Sequence, residues 1–213
     1  MRLLLVHGMG RTPLSLGSLA RVLRLEGHRV ERLGYLAAME NFDRIRARVR
    51  RRLETLAQAG QPYAAVGHSL GGLALRAALD GLEPAPVHLV MLATPNQPPR
   101  LARRLHRLWP YRLACGESGQ LLARPEFFHQ LPPPRVPYTI IAGSAGPRGR
   151  QSPFSDDAND WLVSVEETKV VAGDRPIILP VGHTFMMNDR EVQAAVSRAL
   201  GQVAVLESSA ARE

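Results

Sequence analysis

The segment Gly67-His68-Ser69-Leu70-Gly71-Gly72 constrains this chain more than any other. A serine stands between glycines two residues before and two residues after it. An apolar run, residues 64–67, precedes it, and an apolar helical stretch, residues 71–79, follows and is closed by Gly81. A strand that turns directly into a helix leaves no room for side chains beside the turn. Glycine is therefore needed on both sides, and the apex residue is held in a strained backbone conformation. That apex residue projects above a sheet at a helix N-terminus, where the dipole favours developing negative charge.

The rest of the chain alternates in the way such a turn requires. Short apolar runs at 3–6, 64–67, 87–93, 138–142 and 177–179 read as strands, and 29–33 reads as a further one. Between them lie helical patterns. Leu16, Leu19, Val22 and Leu23 recur at helical spacing within 14–25, and Gly27 ends that run. Asn41 or Asp43 can cap a long helix through Ala59 that Gly60 closes, and residues 189–206 read as a closing helix. Strands alternating with helices predict an α/β fold, a parallel sheet covered on both faces. With 213 residues and 45% hydrophobic content, one domain over 1–207 is expected, followed by a small polar tail at 208–213 that is expected to fray.

Residues 94–137 are longer than an ordinary crossover and rich in proline. Leu101, Leu105 and Leu108 fall at helical spacing with arginines between them and Trp109 at the end. A helix of this kind can cap an active site or simply pack its leucines on the sheet. It also suits peripheral contact with an anionic membrane surface. Formal net charge is +8, and every basic residue except Lys169 is arginine. A basic surface attracts nucleic acid, anionic lipid or acidic substrates. Arginine-rich coding with solvated guanidiniums is the preferred account of the composition. The chain has no nucleic-acid motif and is only 5% aromatic, which argues against a nucleic-acid partner. Cys115 is the single cysteine, so no intrachain disulfide can form. The apolar run 3–6 is shorter than a signal-peptide core and reads as a buried strand. No segment has the ~18 apolar residues of a membrane span. A soluble, cytoplasmic protein is expected.

A serine hydroxyl needs a base to take its proton and an acid to hold that base. On a strand–turn–helix scaffold the chain order is serine, acid, histidine. His183, in Pro180-Val181-Gly182-His183-Thr184, directly follows the last strand. His7, His28 and His68 precede or adjoin the serine, His88 lies in a strand, and His106 and His129 lie in the 94–137 insert. His68 is adjacent to the serine, but neighbours on such a turn point apart, and it reads as a packing residue. For the acid, Asp160 is preferred because the apolar run just after it can anchor its loop; Asp156 and Asp157 compete closely and Asp174 more weakly. A tetrahedral intermediate needs two backbone N–H donors. Leu70, after the serine, supplies one, and Met9, in His7-Gly8-Met9-Gly10 after the first strand, supplies the other. His7 can support that loop through a hydrogen bond or serve the fold alone.

These segments resemble the α/β-hydrolase superfamily and, within it, small bacterial lipases and esterases. Val6-His7-Gly8-Met9-Gly10 looks like their oxyanion loop, residues 67–72 like their nucleophile elbow, and Gly182-His183-Thr184 like their histidine loop. Asn159-Asp160 with Leu162-Val163-Ser164-Val165-Glu166 looks like their Asn-Asp-Gly-x-Val segment carrying the catalytic aspartate. Thr94-Pro95-Asn96 is similar to a Thr-Pro-His with Asn in place of His. The resemblance spans essentially the whole chain. It implies an open parallel six-stranded sheet of order 2-1-3-4-5-6 and a Ser69–His183–Asp160 triad. It also implies a small-molecule or lipid ester as substrate, with no cofactor or metal. Trp161 departs from the pattern where the family has glycine, so the indole either narrows the pocket or packs outside it. An acyltransferase or thioesterase would use the same residues, and a non-catalytic module on the same fold is the remaining alternative.

Overall fold

The computed structural model describes residues 1–210, and the side chains of residues 1–202. Six strands form one parallel sheet of order β2-β1-β3-β4-β5-β6, as the resemblance implied. They are β1 (Arg2–Val6), β2 (Arg29–Leu33), β3 (Tyr63–His68), β4 (His88–Leu92), β5 (Tyr138–Gly143) and β6 (Ile177–Leu179). In β1 the residues alternate between two cores. Leu4 and Val6 join one, with α2 (Phe42–Ala57) and α3 (Leu70–Ala78). Leu3 and Leu5 join the other, with α1 (Gly17–Leu25) and α7 (Arg190–Ala210). A strand buried on both faces must be apolar throughout, which is why central strands such as β1 and β4 read as continuous hydrophobic runs, whereas the edge strand β2 carries Arg29, Glu31 and Arg32.

Local signals act where expected. Asn41, not Asp43, caps α2, its side-chain oxygen accepting from the Arg44 N–H at 2.9 Å. Gly27 ends α1 with φ +87°. A 3-10 turn over Pro13–Leu16 precedes α1, so the expected 14–25 helix begins as a tighter coil. The backbone of α7 continues to Ala210, beyond the expected end at 206, and residues 211–213 of the expected frayed tail lie outside the described residues.

The insert differs from its sequence reading. The leucines at 101, 105 and 108 do not share one helix. The chain forms α4 (Arg100–Leu105), α5 (Trp109–Leu122) and α6 (Pro125–Gln130). Leu108 is extended (φ −76°, ψ 130°) and caps α5. Pro110 explains the break: it has no N–H and its ring obstructs the preceding turn, so it fits only in the first turn of a new helix. Gly116 kinks α5 at φ +57°, and a side chain there would come within 2.7 Å of the Ala37 carbonyl oxygen. The insert thus rests on the loop after β2, at the carboxyl edge of the sheet.

Candidate active site

Ser69 lies between β3 and α3 at φ 52°, ψ −122°, a conformation that costs a non-glycine residue about 1–3 kcal/mol. The turn is compressed on every side. A Cβ at Gly71 would collide with the carbonyl oxygens of Val6 and His7, and one at Gly72 with the Thr94 side chain. A Cβ at Gly8 would come within 3.0 Å of Ser69 Cβ and 2.8 Å of His68 Nδ1. The loop after β1 therefore presses directly against the serine. Two backbone bonds pin the turn: the Ser69 N–H donates to Leu92 O at 2.8 Å, and the Gly72 N–H to Ser69 O at 2.9 Å.

The sheet brings His183 and Asp160 to this edge. His183 Nδ1 is 2.7 Å from Asp160 Oδ2, both residues are buried, and the His183 N–H donates to the Asp160 carbonyl at 2.9 Å. The carboxylate accepts on its other oxygen from the N–H groups of Leu162 (3.0 Å) and Val163 (2.7 Å). A carboxylate can only accept, so Nδ1 carries the imidazole proton and the Nε2 lone pair is free to take another. The competing aspartates are occupied elsewhere or face solvent. Asp157 pairs with Arg100 at 2.7 Å. Asp174 accepts from the Tyr138 hydroxyl and two backbone N–H groups, and Asp156 is exposed.

His68 connects the serine turn to the histidine loop. It is fully buried, its ring lies 4.9 Å from that of His183, and its Nε2 donates to the His183 carbonyl at 3.0 Å. Burial first, then the neighbouring His183, pushes its pKa well below the ordinary value, so it stays neutral. His68 thus links the turn that carries Ser69 to the histidine loop, and no hydrogen bond joins Ser69 Oγ to His183 among the described residues. In unliganded serine enzymes that bond is often long.

His7 is tied as tightly. Its Nε2 accepts from the Tyr35 N–H at 3.3 Å, so its proton is on Nδ1, which donates to the Gly8 carbonyl at 2.8 Å. Its ring stacks on Tyr35 at 4.3 Å, and the Tyr35 hydroxyl donates to His7 O at 2.6 Å. Gly8 C=O and Met9 N–H belong to one planar peptide and point in opposite directions. Holding the carbonyl toward His7 therefore turns the Met9 N–H the other way. Neither the Met9 nor the Leu70 N–H has a partner among the described residues, and Leu70 opens α3. Arg11, which the sequence reading passed over, joins this loop to the histidine loop. It donates to Thr184 O at 3.1 Å and stacks over the Phe185 ring at 4.7 Å.

The acid loop is held by Asn159, buried beside Asp160. Its amide donates to Pro147 O (2.8 Å) and Asp157 O (3.0 Å), and its oxygen accepts from the Trp161 N–H (3.0 Å). Trp161 itself has φ +86°. A glycine suits that conformation, which accounts for the family residue. The indole is 59% exposed and its edge faces Gly182, so it packs outside the pair, against the histidine loop. Asn96 is also structural: it accepts from buried Arg76 at 3.1 Å and donates to Thr168 O at 2.8 Å. No group of three or more His, Cys, Asp or Glu side chains among the described residues could hold a metal ion.

A parallel sheet with a strained serine between strand and helix, and a buried histidine–carboxylate pair at the same edge, defines a class of α/β enzyme scaffold. The sequence profile of the alpha/beta hydrolase family matches residues 3–209, and the chain belongs to that family. No functionally curated protein is matched by sequence. Among solved structures, the chain is similar to the mature form of a Bacillus licheniformis lipase (16% identity, TM-score 0.72, covering 93% of this chain and 91% of that one). It is similar to a metagenome-derived lipolytic enzyme (13%, TM-score 0.70, 95% and 93%). It is also similar to tomato methylketone synthase I complexed with 2-tridecanone (15%, TM-score 0.64, 95% and 98%). At these identities the likeness is one of fold. No described helix is long and apolar enough to cross a membrane.

Proposed function

We propose that this protein hydrolyses carboxylic esters through an acyl-enzyme on Ser69. The observation that carries the reading is the buried 2.7 Å bond from His183 Nδ1 to Asp160, which leaves Nε2 free to take a proton, at the same sheet edge as a serine held at φ 52°. Ser69 Oγ attacks the acyl carbon while His183 Nε2 takes its proton, and Asp160 stabilises the imidazolium. The N–H groups of Met9 and Leu70 receive the oxyanion. His183 then protonates the departing alcohol. Water, deprotonated by the same nitrogen, releases the acid and restores the serine. The lipolytic character of two of the similar structures favours an ester as substrate over an amide.

Ser69→Ala should lower turnover of short-chain p-nitrophenyl esters by about 10⁴-fold or more, with an unchanged circular dichroism spectrum. A fluorophosphonate probe should label wild type at Ser69 and leave the variant unlabelled. Undiminished turnover by the variant would exclude the serine as nucleophile.

A further inference from the structure

Most of the large apolar side chains that the described residues leave exposed surround one place. They stand on segments leaving the carboxyl ends of the strands, the edge that holds Ser69 and His183. Leu36 and Met39 follow β2, and Met39 is 80% exposed. Leu108, Trp109 and Leu113 form the α4–α5 junction, at 52%, 74% and 72%. Trp161 and Leu162 follow β5, and Phe185 and Leu14 flank a cleft of about 340 Å³ beside Arg11. Both tryptophans of the chain belong to this set. Trp161 retains a bulky side chain at φ +86° and gains little burial for it, so core packing does not account for the indole.

The unpaired charge at the α4–α5 junction is positive. Residues 100–116 contain five arginines and no acidic residue. Arg103, Arg104, Arg107 and Arg112 are exposed and form no ion pair among the described residues. Acidic groups nearby are engaged: Glu40 with Arg48, Asp157 with Arg100, and Glu117 with the Phe42 N–H. Asp156 is exposed without an ion-pair partner. Indole and leucine side chains flanked by guanidiniums match a bilayer interface. The apolar groups enter the acyl boundary, tryptophan sits at headgroup level, and arginine reaches the phosphates. A second copy of this chain would set arginine against arginine across the contact, which disfavours self-association.

We propose that the carboxyl edge of the sheet docks on an anionic lipid bilayer, with the α4–α5 junction entering the interface and its arginines facing the headgroups. The proposal rests on the ester-hydrolase reading only for what the bilayer delivers to Ser69.

Vesicles of phosphatidylglycerol mixed with phosphatidylcholine, and vesicles of phosphatidylcholine alone, provide the test, with Ser69→Ala used so that no lipid is consumed. The protein should cofloat with the anionic vesicles and bind neutral ones at least about tenfold more weakly. Raising salt from about 0.05 M to about 0.5 M should weaken anionic binding by a similar factor. Since both tryptophans lie on this edge, their emission should shift to the blue and be quenched by brominated acyl chains. Trp109→Ala with Leu113→Ala, both at exposed positions, should reduce flotation about tenfold or more. The same pair, in a chain that retains Ser69, should keep wild-type turnover of a soluble short-chain ester. Leu25→Ala, at the opposite edge, should change neither. Absent flotation, equal flotation on neutral vesicles, tryptophan emission unaffected by brominated lipid, or a concentration-dependent dimer that hides both tryptophans would each overturn the proposal. Flotation without fluorophosphonate labelling would remove the hydrolase reading and leave the surface. Labelling without flotation would do the reverse.

Discussion

The Ser69 turn and the Asp160 loop stand at the same edge of the sheet, yet they are built by opposite means. The turn is made by omission: Gly8, Gly67, Gly71 and Gly72 leave space that neighbouring backbone and the side chains of His68, Ser69 and Thr94 fill. The acid loop is made by addition, through Asn159 side-chain bonds to three backbone groups and two N–H bonds to the Asp160 carboxylate. Each carries one strained non-glycine residue, Ser69 at φ 52° in the turn and Trp161 at φ +86° in the loop. A steric requirement tolerates no substitute, since a collision with backbone cannot be relieved locally. A hydrogen-bonded loop can bear some strain, because several bonds over-determine its shape.

The sharpest way to break this contrast is Gly71→Ala. Its methyl would meet the Val6 and His7 carbonyls, both backbone, and should cost about 3 kcal/mol or more, read as a collapse of the urea midpoint together with loss of ester turnover. A stable, active variant would show that the turn has slack. Asp160→Asn comes next. It preserves the loop's shape but allows the wrong imidazole tautomer, and kcat should fall by about 10⁴-fold with little change in melting temperature. Asn159→Ala removes three bonds while leaving the Asp160 and His183 side chains in the chain. A stability loss of about 2–3 kcal/mol in chemical denaturation is expected, with kcat falling while KM for a short ester holds. Trp161→Gly should have the smallest effect and the opposite sign. Relief of the positive φ should raise stability by about 1 kcal/mol, or about 2–4 °C in Tm, with soluble-ester turnover retained. A destabilised Trp161→Gly would mean that indole contacts outweigh the strain.

The legibility of each part follows the same division. Asn41 at the start of α2 and Gly27 after α1 act through groups a few residues away, so their effect is readable from neighbours. The insert was misread because the leucine spacing of 101–108 was weighed ahead of Pro110, although proline obstructs the turn before it whatever the hydrophobic pattern. The choice among Asp156, Asp157, Asp160 and Asp174 was open in the sequence. Only the fold shows that Arg100 occupies Asp157, that Tyr138 and backbone groups occupy Asp174, and that Asp160 reaches His183. Arg11 and Tyr35 left no motif at all, since their partners lie 173 and 28 residues away.

Sequence alone determined the order of strands and helices and the glycine-lined turn at Ser69, because periodicity and excluded volume act over a few residues. Tertiary structure decided which carboxylate meets the histidine, where the protons of His7, His68 and His183 reside, and that Trp161 faces outward. Those outcomes depend on atoms brought together from separate segments of the chain, and a hydrogen bond has no range along the sequence, only a distance in space.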